Sequence, residues 1–260
     1  MSNHFYFLSF ADKRWDSRRI KNEAIQSKWF DFVIVENEDS FEKWYVDKYK
    51  DRFLDRGFGY WQWKSYRIRR LLERMNEGDI LLYLDAGCHI NYVDGVSLKN
   101  KLLRYLSGKP IAMFQSNAPE NVWTKADIYS FFDELNYPTV IKGQLQGGIL
   151  LLKKTIESCS MIDEWFYICH NHYELINDAP SIRPNIPVFK ENRHDQSIIS
   201  LLANKYPVAI HPIAEIYTDG DWSTMSDKPI WAARWNTPKV SVMVVVKRKI
   251  KSLLKSLFSK

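Results

Sequence analysis

Two aspartates in this 260-residue chain stand where a carboxylate can do chemistry. Asp85 closes the apolar run from Ile80 to Leu84 and is followed by two small residues, Ala86 and Gly87. Such a run, with the turn signal Gly78-Asp79 before it, reads as a buried strand of a parallel sheet. The carboxyl end of such a strand is where open α/β sheets bind ligands, and the small residues leave room for a bulky group to approach the backbone. The plainer reading of the same residues is an Asp-initiated turn. Asp195 lies in the polar group Lys190-Glu191-Asn192-Arg193-His194-Asp195-Gln196-Ser197, which enters a helix read over 198–205. That is a common place for catalytic side chains, and it is also what an ordinary N-cap looks like, with Asp195 capping.

Two further stretches could serve those carboxylates. Arg56-Gly57-Phe58-Gly59-Tyr60-Trp61-Gln62-Trp63-Lys64 combines two glycines, flat aromatic surfaces and a cation, and a helix with Arg67, Arg69 and Arg70 follows. Cations at the start of a helix oppose its dipole, so Lys64 and Arg67 need a reason to be there, and an anionic phosphate would supply one. The alternative is a packed tryptophan cluster with solvated basic residues. Gly143-Gln144-Leu145-Gln146-Gly147-Gly148 reads as a flexible loop that can bring backbone and side-chain amides close to a polar ligand, or as a loop and nothing more.

The elements that must position these residues alternate. Phe5 to Phe10 reads as a strand ended by Ala11-Asp12, 16–28 as a helix with a basic face (Arg18, Arg19, Lys21), and 32–35 as a second strand. That is a βαβ unit, from which a parallel sheet follows. No Gly-x-Gly-x-x-Gly follows the first strand, which argues against a dinucleotide fingerprint. Helices are read over 41–54, 65–75, 98–106, 127–135 and 155–173, and strands over 111–114, 149–152 and 208–211.

Composition is that of a globular α/β protein, 45% apolar and 26% charged, with 10 Trp and 14 Tyr. Three cysteines, Cys88, Cys159 and Cys169, have neither paired nor metal-ligand spacing and fit a reducing cytoplasm. No run has the length of a membrane span, and no signal-peptide pattern opens the chain. Residues 247–260 hold six Lys or Arg and no acid, equal to the whole net charge of +6, so the body is balanced. Within the tail, Val246, Ile250, Leu253, Leu254, Leu257 and Phe258 recur at helical spacing. An apolar stripe flanked by cations is the pattern of a helix lying in an anionic membrane interface; a basic helix packed on the body, or a disordered tail, is the alternative.

Taken in order, Ala11-Asp12, Gly-Tyr-Trp-Gln-Trp-Lys at 59–64, Leu-Tyr-Leu-Asp-Ala-Gly at 82–87, Gly-Gln-Leu-Gln-Gly-Gly at 143–148 and Arg-His-Asp-Gln-Ser at 193–197 resemble the GT-A nucleotide-sugar glycosyltransferases. The likeness is strongest to bacterial enzymes of capsule and lipopolysaccharide O-antigen synthesis and covers residues 4–235. It implies one α/β domain over 1–238, a mostly parallel central sheet flanked by helices, with the amphipathic tail over 239–260. It also implies sugar transfer from a nucleotide-diphosphate sugar to an acceptor hydroxyl of a glycan, lipid-linked in such pathways, at the inner face of the cell membrane, with no nucleic-acid partner. By the same resemblance Asp195 is catalytic, as general base if the anomeric carbon inverts and as donor-sugar positioner if it is retained. Donor contacts fall to Phe10, Ala11, Asp12, Arg18, Trp63, Lys64, Arg67, Asp85, Ala86, Gly87, Gln146, Gly147, Gly148 and His194. Such families carry Asp-x-Asp holding Mn²⁺ or Mg²⁺ against the diphosphate; here the motif is Asp85-Ala86-Gly87, so His211 or Asp219 would have to complete the metal site, or Lys64 and Arg67 would carry the compensation instead. Two other classes stay open: a non-catalytic nucleotide or carbohydrate binder, and a sugar nucleotidyltransferase, for which Phe10 to Arg19 lacks the glycine-rich basic signature.

Overall fold

The computed structural model describes residues 3–12, 17–93, 95–133, 142–219 and 221–233. The segment 239–260, expected as an amphipathic tail, lies outside the described residues. The described strands are β1 (Phe5–Phe10), β2 (Phe32–Glu36), β3 (Ile80–Asp85), β4 (His89–Ile90), β5 (Ile111–Pro119), β6 (Gly143–Leu145), β7 (Ile149–Lys153), β8 (Val208–Pro212) and β9 (Ile230–Trp231). Seven of them form one sheet in the order β2-β1-β3-β7-β5-β6, with β8 also on β5, while β4 and β9 make a separate ribbon.

The sheet is mixed α/β architecture with mostly one strand direction. β1 is parallel to β2 and β3, and β8 is parallel to β5. β7 lies antiparallel between β3 and β5, and β6 is antiparallel to β5. β7 opposes Ile111 and Ala112, β6 opposes Gln115 and Pro119, and the Gln146 N–H donates to the Phe114 carbonyl at 2.8 Å. So β6, Gln146-Gly147-Gly148 and β7 follow the same side of β5 as one interrupted strand.

Period-two alternation divides the strand side chains between two faces. Leu8, Leu81, Tyr83, Met113, Leu150 and Leu152 meet the helices Trp63–Arg74, Ile156–Asn171 and Asp195–Leu202. Phe5, Phe7, Leu82, Leu84, Phe114 and Leu151 meet the helices Ser17–Ser27 and Gly95–Arg104. Each fully buried side chain of this kind contributes about 1.5–3 kcal/mol. A third cluster, Phe10, Phe41, Tyr45, Tyr49, Trp63 and Tyr66, lies beyond the end of β1. No helix among the described residues is long and apolar enough to cross a membrane.

Candidate functional site

β1 and β3 end together, with Phe10 opposite Asp85. At that end opens a cavity of about 410 Å³. Its floor comes from the strand ends, Phe10, Asp12 and the turn Asp85 to Cys88; its walls come from Arg56 to Phe58, Trp61, Trp63, Lys64, Gln146, Gly148 and Arg193 to Gln196.

Lys64 is at the centre. It enters on the first turn of Trp63–Arg74, and its side chain is only 4% exposed. Its Nζ lies 3.4 Å from Asp85 Oδ1, 3.2 Å from Asp195 Oδ2 and 3.2 Å from the Gly147 carbonyl, to which it donates. One ammonium therefore serves two carboxylates. Burial alone would lower the Lys64 pKa, but Asp195 and Asp85 hold it above the usual lysine value. Asp195 is fully enclosed, its side chain 4% exposed against 47% for Asp85. Burial pushes its carboxyl up to about 7; Lys64 opposes the rise and Asp85 adds to it. An acid that titrates near neutrality inside a cleft is suited to taking a proton.

Asp195 is the first helical residue, three residues earlier than the sequence reading, and the cap position falls to His194 without a side-chain cap bond. The capping alternative is thereby removed: the carboxylate faces Lys64. His194 has φ 57° and ψ −125°, a strained conformation for a residue with a side chain. Its ring stacks on Tyr60 at 4.7 Å, and Nδ1–H donates to the Ile176 carbonyl at 2.7 Å. Those contacts hold the backbone twist that aims Asp195 inward.

The Asp85 turn is held from behind. Tyr83, two residues earlier on the same face, donates from its hydroxyl to Asp85 Oδ1 at 2.8 Å. The Asp85 N–H donates to the Gly148 carbonyl at 2.8 Å. Arg19 reaches the same turn from the opposite side, donating to the Ala86 carbonyl and, at 2.9 Å, to the Cys88 carbonyl, while Glu23 and His89 flank its guanidinium at 3.1 Å and 3.0 Å. A Cβ on Gly148 would lie 2.5 Å from Asp85 Oδ2, so a side chain there would have to push the carboxylate aside.

The wall from Gly57 to Trp61 is a left-handed turn, with φ of 65°, 57°, 90°, 50° and 61° in succession. Gly57 and Gly59 adopt this freely, but Phe58, Tyr60 and Trp61 do so at about 1–2 kcal/mol each. Trp63 Nε1–H ties the turn back by donating to the Gly57 carbonyl at 2.8 Å, and the Arg56 guanidinium lies 5.5 Å from the Trp61 ring centre. The packed aromatic cluster considered from sequence is present, but Lys64 is buried instead of solvated.

Of the residues singled out from sequence, Phe10, Asp12, Trp63, Lys64, Asp85, Ala86, Gly87, Gln146, Gly148, His194 and Asp195 line one cavity. Gly147 stands just behind, through its carbonyl on Lys64, and the Ala11 N–H donates to the Glu36 carbonyl at 2.9 Å. Four are placed elsewhere. Arg18 is exposed and does not line the cavity. Arg67 is clamped by Glu36 and, at 2.9 Å, by Glu42. His211 bonds through Nε2 to the Tyr105 carbonyl at 2.6 Å, on β8, which β7 and β5 separate from β3. His211 and Asp85 therefore do not meet, and Asp219 is exposed and does not line the cavity. Among the described residues there is no group of three His, Cys, Asp or Glu that could hold a metal ion. The donor set around Asp85 does not fit a protein-held divalent ion, because the position between the two carboxylates belongs to the Lys64 ammonium.

Sequence reasoning missed Arg56, Arg193 and Gln196 as lining residues, and Arg19 as the brace of the turn. Arg19 left a signal: with Glu23 it shares the phase of Ile20, Ala24 and Ser27, and a charged pair on the buried side of an amphipathic helix needs a buried partner. Gln196 was visible only as part of the polar group at 190–197; its Oε1 accepts from Gly147 N–H at 3.1 Å, a contact known only once the fold closes.

No protein-family model matches the chain, and no match is found among curated proteins. Solved structures similar to it include a glycosyltransferase involved in glycosylation of the major capsid of PBCV-1, at 13% identity and a TM-score of 0.47, covering 88% of this chain and 91% of that one. The galactosyltransferase LgtC, in complex with donor and acceptor sugar analogs, is similar at 12% identity and a TM-score of 0.44, with 90% and 87% covered. The glycosyltransferase GlyE of Streptococcus pneumoniae TIGR4 matches at 12% identity and a TM-score of 0.39, with 81% of this chain and 45% of that one covered.

Proposed function

We propose that the chain is a glycosyltransferase that moves a sugar from a nucleotide-diphosphate donor to a hydroxyl of a glycan acceptor. The observation that carries the reading is the triad Asp85–Lys64–Asp195 in an aromatic-walled cavity at the carboxyl ends of parallel strands. Transfer requires stabilisation of charge on the departing diphosphate and a group to orient or deprotonate the acceptor hydroxyl. The cavity-lining Arg56 and Arg193 meet the first need, and Asp195, its carboxyl pushed up to about 7, meets the second. Phe58 and Trp61 give flat faces against which a base or sugar ring packs. The motif resemblance supports the same reading, and it extends to a pathway: surface-polysaccharide synthesis on a lipid-linked acceptor, with the basic segment 239–260 holding the enzyme at the inner membrane face.

The test is incubation of the protein with a panel of nucleotide sugars. Slow release of free nucleoside diphosphate, lost in Asp85→Asn, is expected. Pyrophosphate release would identify a nucleotidyltransferase instead, and binding without any turnover a carbohydrate- or nucleotide-binding protein.

A further inference from the structure

We infer that this site binds its donor diphosphate with fixed side-chain cations in place of a divalent metal ion. The inference rests on the donor reading above. Two carboxylate oxygens and a backbone carbonyl converge on one point, which is the oxygen set a hard cation takes. The point is filled by Lys64 Nζ, at 3.2–3.4 Å from those oxygens. The ammonium donates a hydrogen bond to the Gly147 carbonyl and is ion-paired with both carboxylates.

Lys64 cannot vacate the position cheaply. Its side chain is almost wholly buried, and removing it would leave Asp195 enclosed without its counter-charge. A second cation brought between the same carboxylates would be repelled by the ammonium at short range, where screening is weak. The nearby acids outside the cavity are also engaged: Glu36 and Glu42 by Arg67, and Glu23 by Arg19 and His89. Two guanidiniums complete the positive set on the cavity wall. Arg56 lies on the Trp61 face, and Arg193 lies on the Trp123 face at 4.1 Å from the ring centre. Arg193 is also paired with Glu191 at 3.1 Å, whereas Arg56 is exposed on the wall, and guanidiniums suit bidentate phosphate binding.

The test is calorimetric titration of the full chain with UDP, GDP, dTDP and ADP, in EDTA and again with Mn²⁺ or Mg²⁺. At least one nucleotide is expected to bind in EDTA, with metal changing its affinity by less than about threefold, and Arg56→Gln is expected to weaken it by more than about tenfold. Arg56 is a wall residue, so its variant tests the cation set even if Lys64→Met fails to fold. Tightening by metal beyond about threefold overturns the inference and leaves the donor reading standing. Unchanged affinity in Arg56→Gln also overturns it. Absence of binding for all four nucleotides under both conditions overturns the donor reading, and the inference with it.

Discussion

Asp195 joins an enclosed carboxyl to a shared ammonium, and its consequences separate chemistry from stability. Asp195→Asn keeps the shape and can still accept from Lys64, so the fold should persist while turnover falls by roughly two to four orders of magnitude. Activity and thermal melting measured on the same sample check this; wild-type turnover would return Asp195 to a structural role. Because its carboxyl is raised from 3.8 to about 7, the folded chain holds a proton there that the unfolded chain has released. The sign follows: stability of the wild type relative to Asp195→Asn should be highest below about pH 4, fall as pH rises to about 7, and stay level above. Urea unfolding of both proteins across that range measures it. If Asp195 takes the acceptor proton, its ionised form is the working one and kcat/KM should rise with pH through about 7; a flat profile there would contradict that role.

At the level of elements, most of the architecture was readable. β1 and β3 stand out as apolar runs and the main helices as periodic stretches, because burial on a sheet face or helix stripe is written in residue type. What was not readable depends on which elements become neighbours. β7 looks like any buried strand, and its antiparallel place between β3 and β5 appears only when the chain returns through β6. Lys64, Asp85 and Asp195 were each visible, but their convergence on one nitrogen was not. Arg67, one turn after Lys64, read as its partner; Glu36 at the end of β2 and Glu42 draw it away. The contact between Gly148 and Asp85 offers a test at this scale. Gly148→Ala must push the carboxylate off its position beside Lys64, so activity should drop by more than about tenfold, with a stability loss of about 1–3 kcal/mol. Retained activity would show that the strand end tolerates displacement.

Across the whole molecule, the net charge of +6 equals the six Lys or Arg of residues 247–260, and the proposed membrane role of that end is open to test. Six Lys or Arg near an anionic surface contribute on the order of 1 kcal/mol each, enough for reversible attachment that weakens with salt. Deleting residues 247–260 should leave transfer to a short soluble acceptor intact and lower transfer to acceptor embedded in vesicles. Co-sedimentation with anionic and neutral liposomes measures the anchor directly, and equal pelleting of full-length and shortened protein on anionic vesicles would dismiss it.

The interrupted strand carries a consequence for hydrogen exchange. Gln146-Gly147-Gly148 has the composition of a floppy loop, yet the Gln146 amide is bonded to β5, the Gly147 amide to the Gln196 side chain, and the Gly148 carbonyl to the start of the Asp85 turn. The Gln146 proton can leave only when this stretch parts from β5, and the Gly147 proton only when it also parts from the Gln196 side chain. They should take up deuterium on the slow timescale of the sheet centre, minutes to hours, unlike the rapid exchange of an open loop. The glycines then make a rigid crossbar, and the cavity keeps its shape in the absence of any ligand.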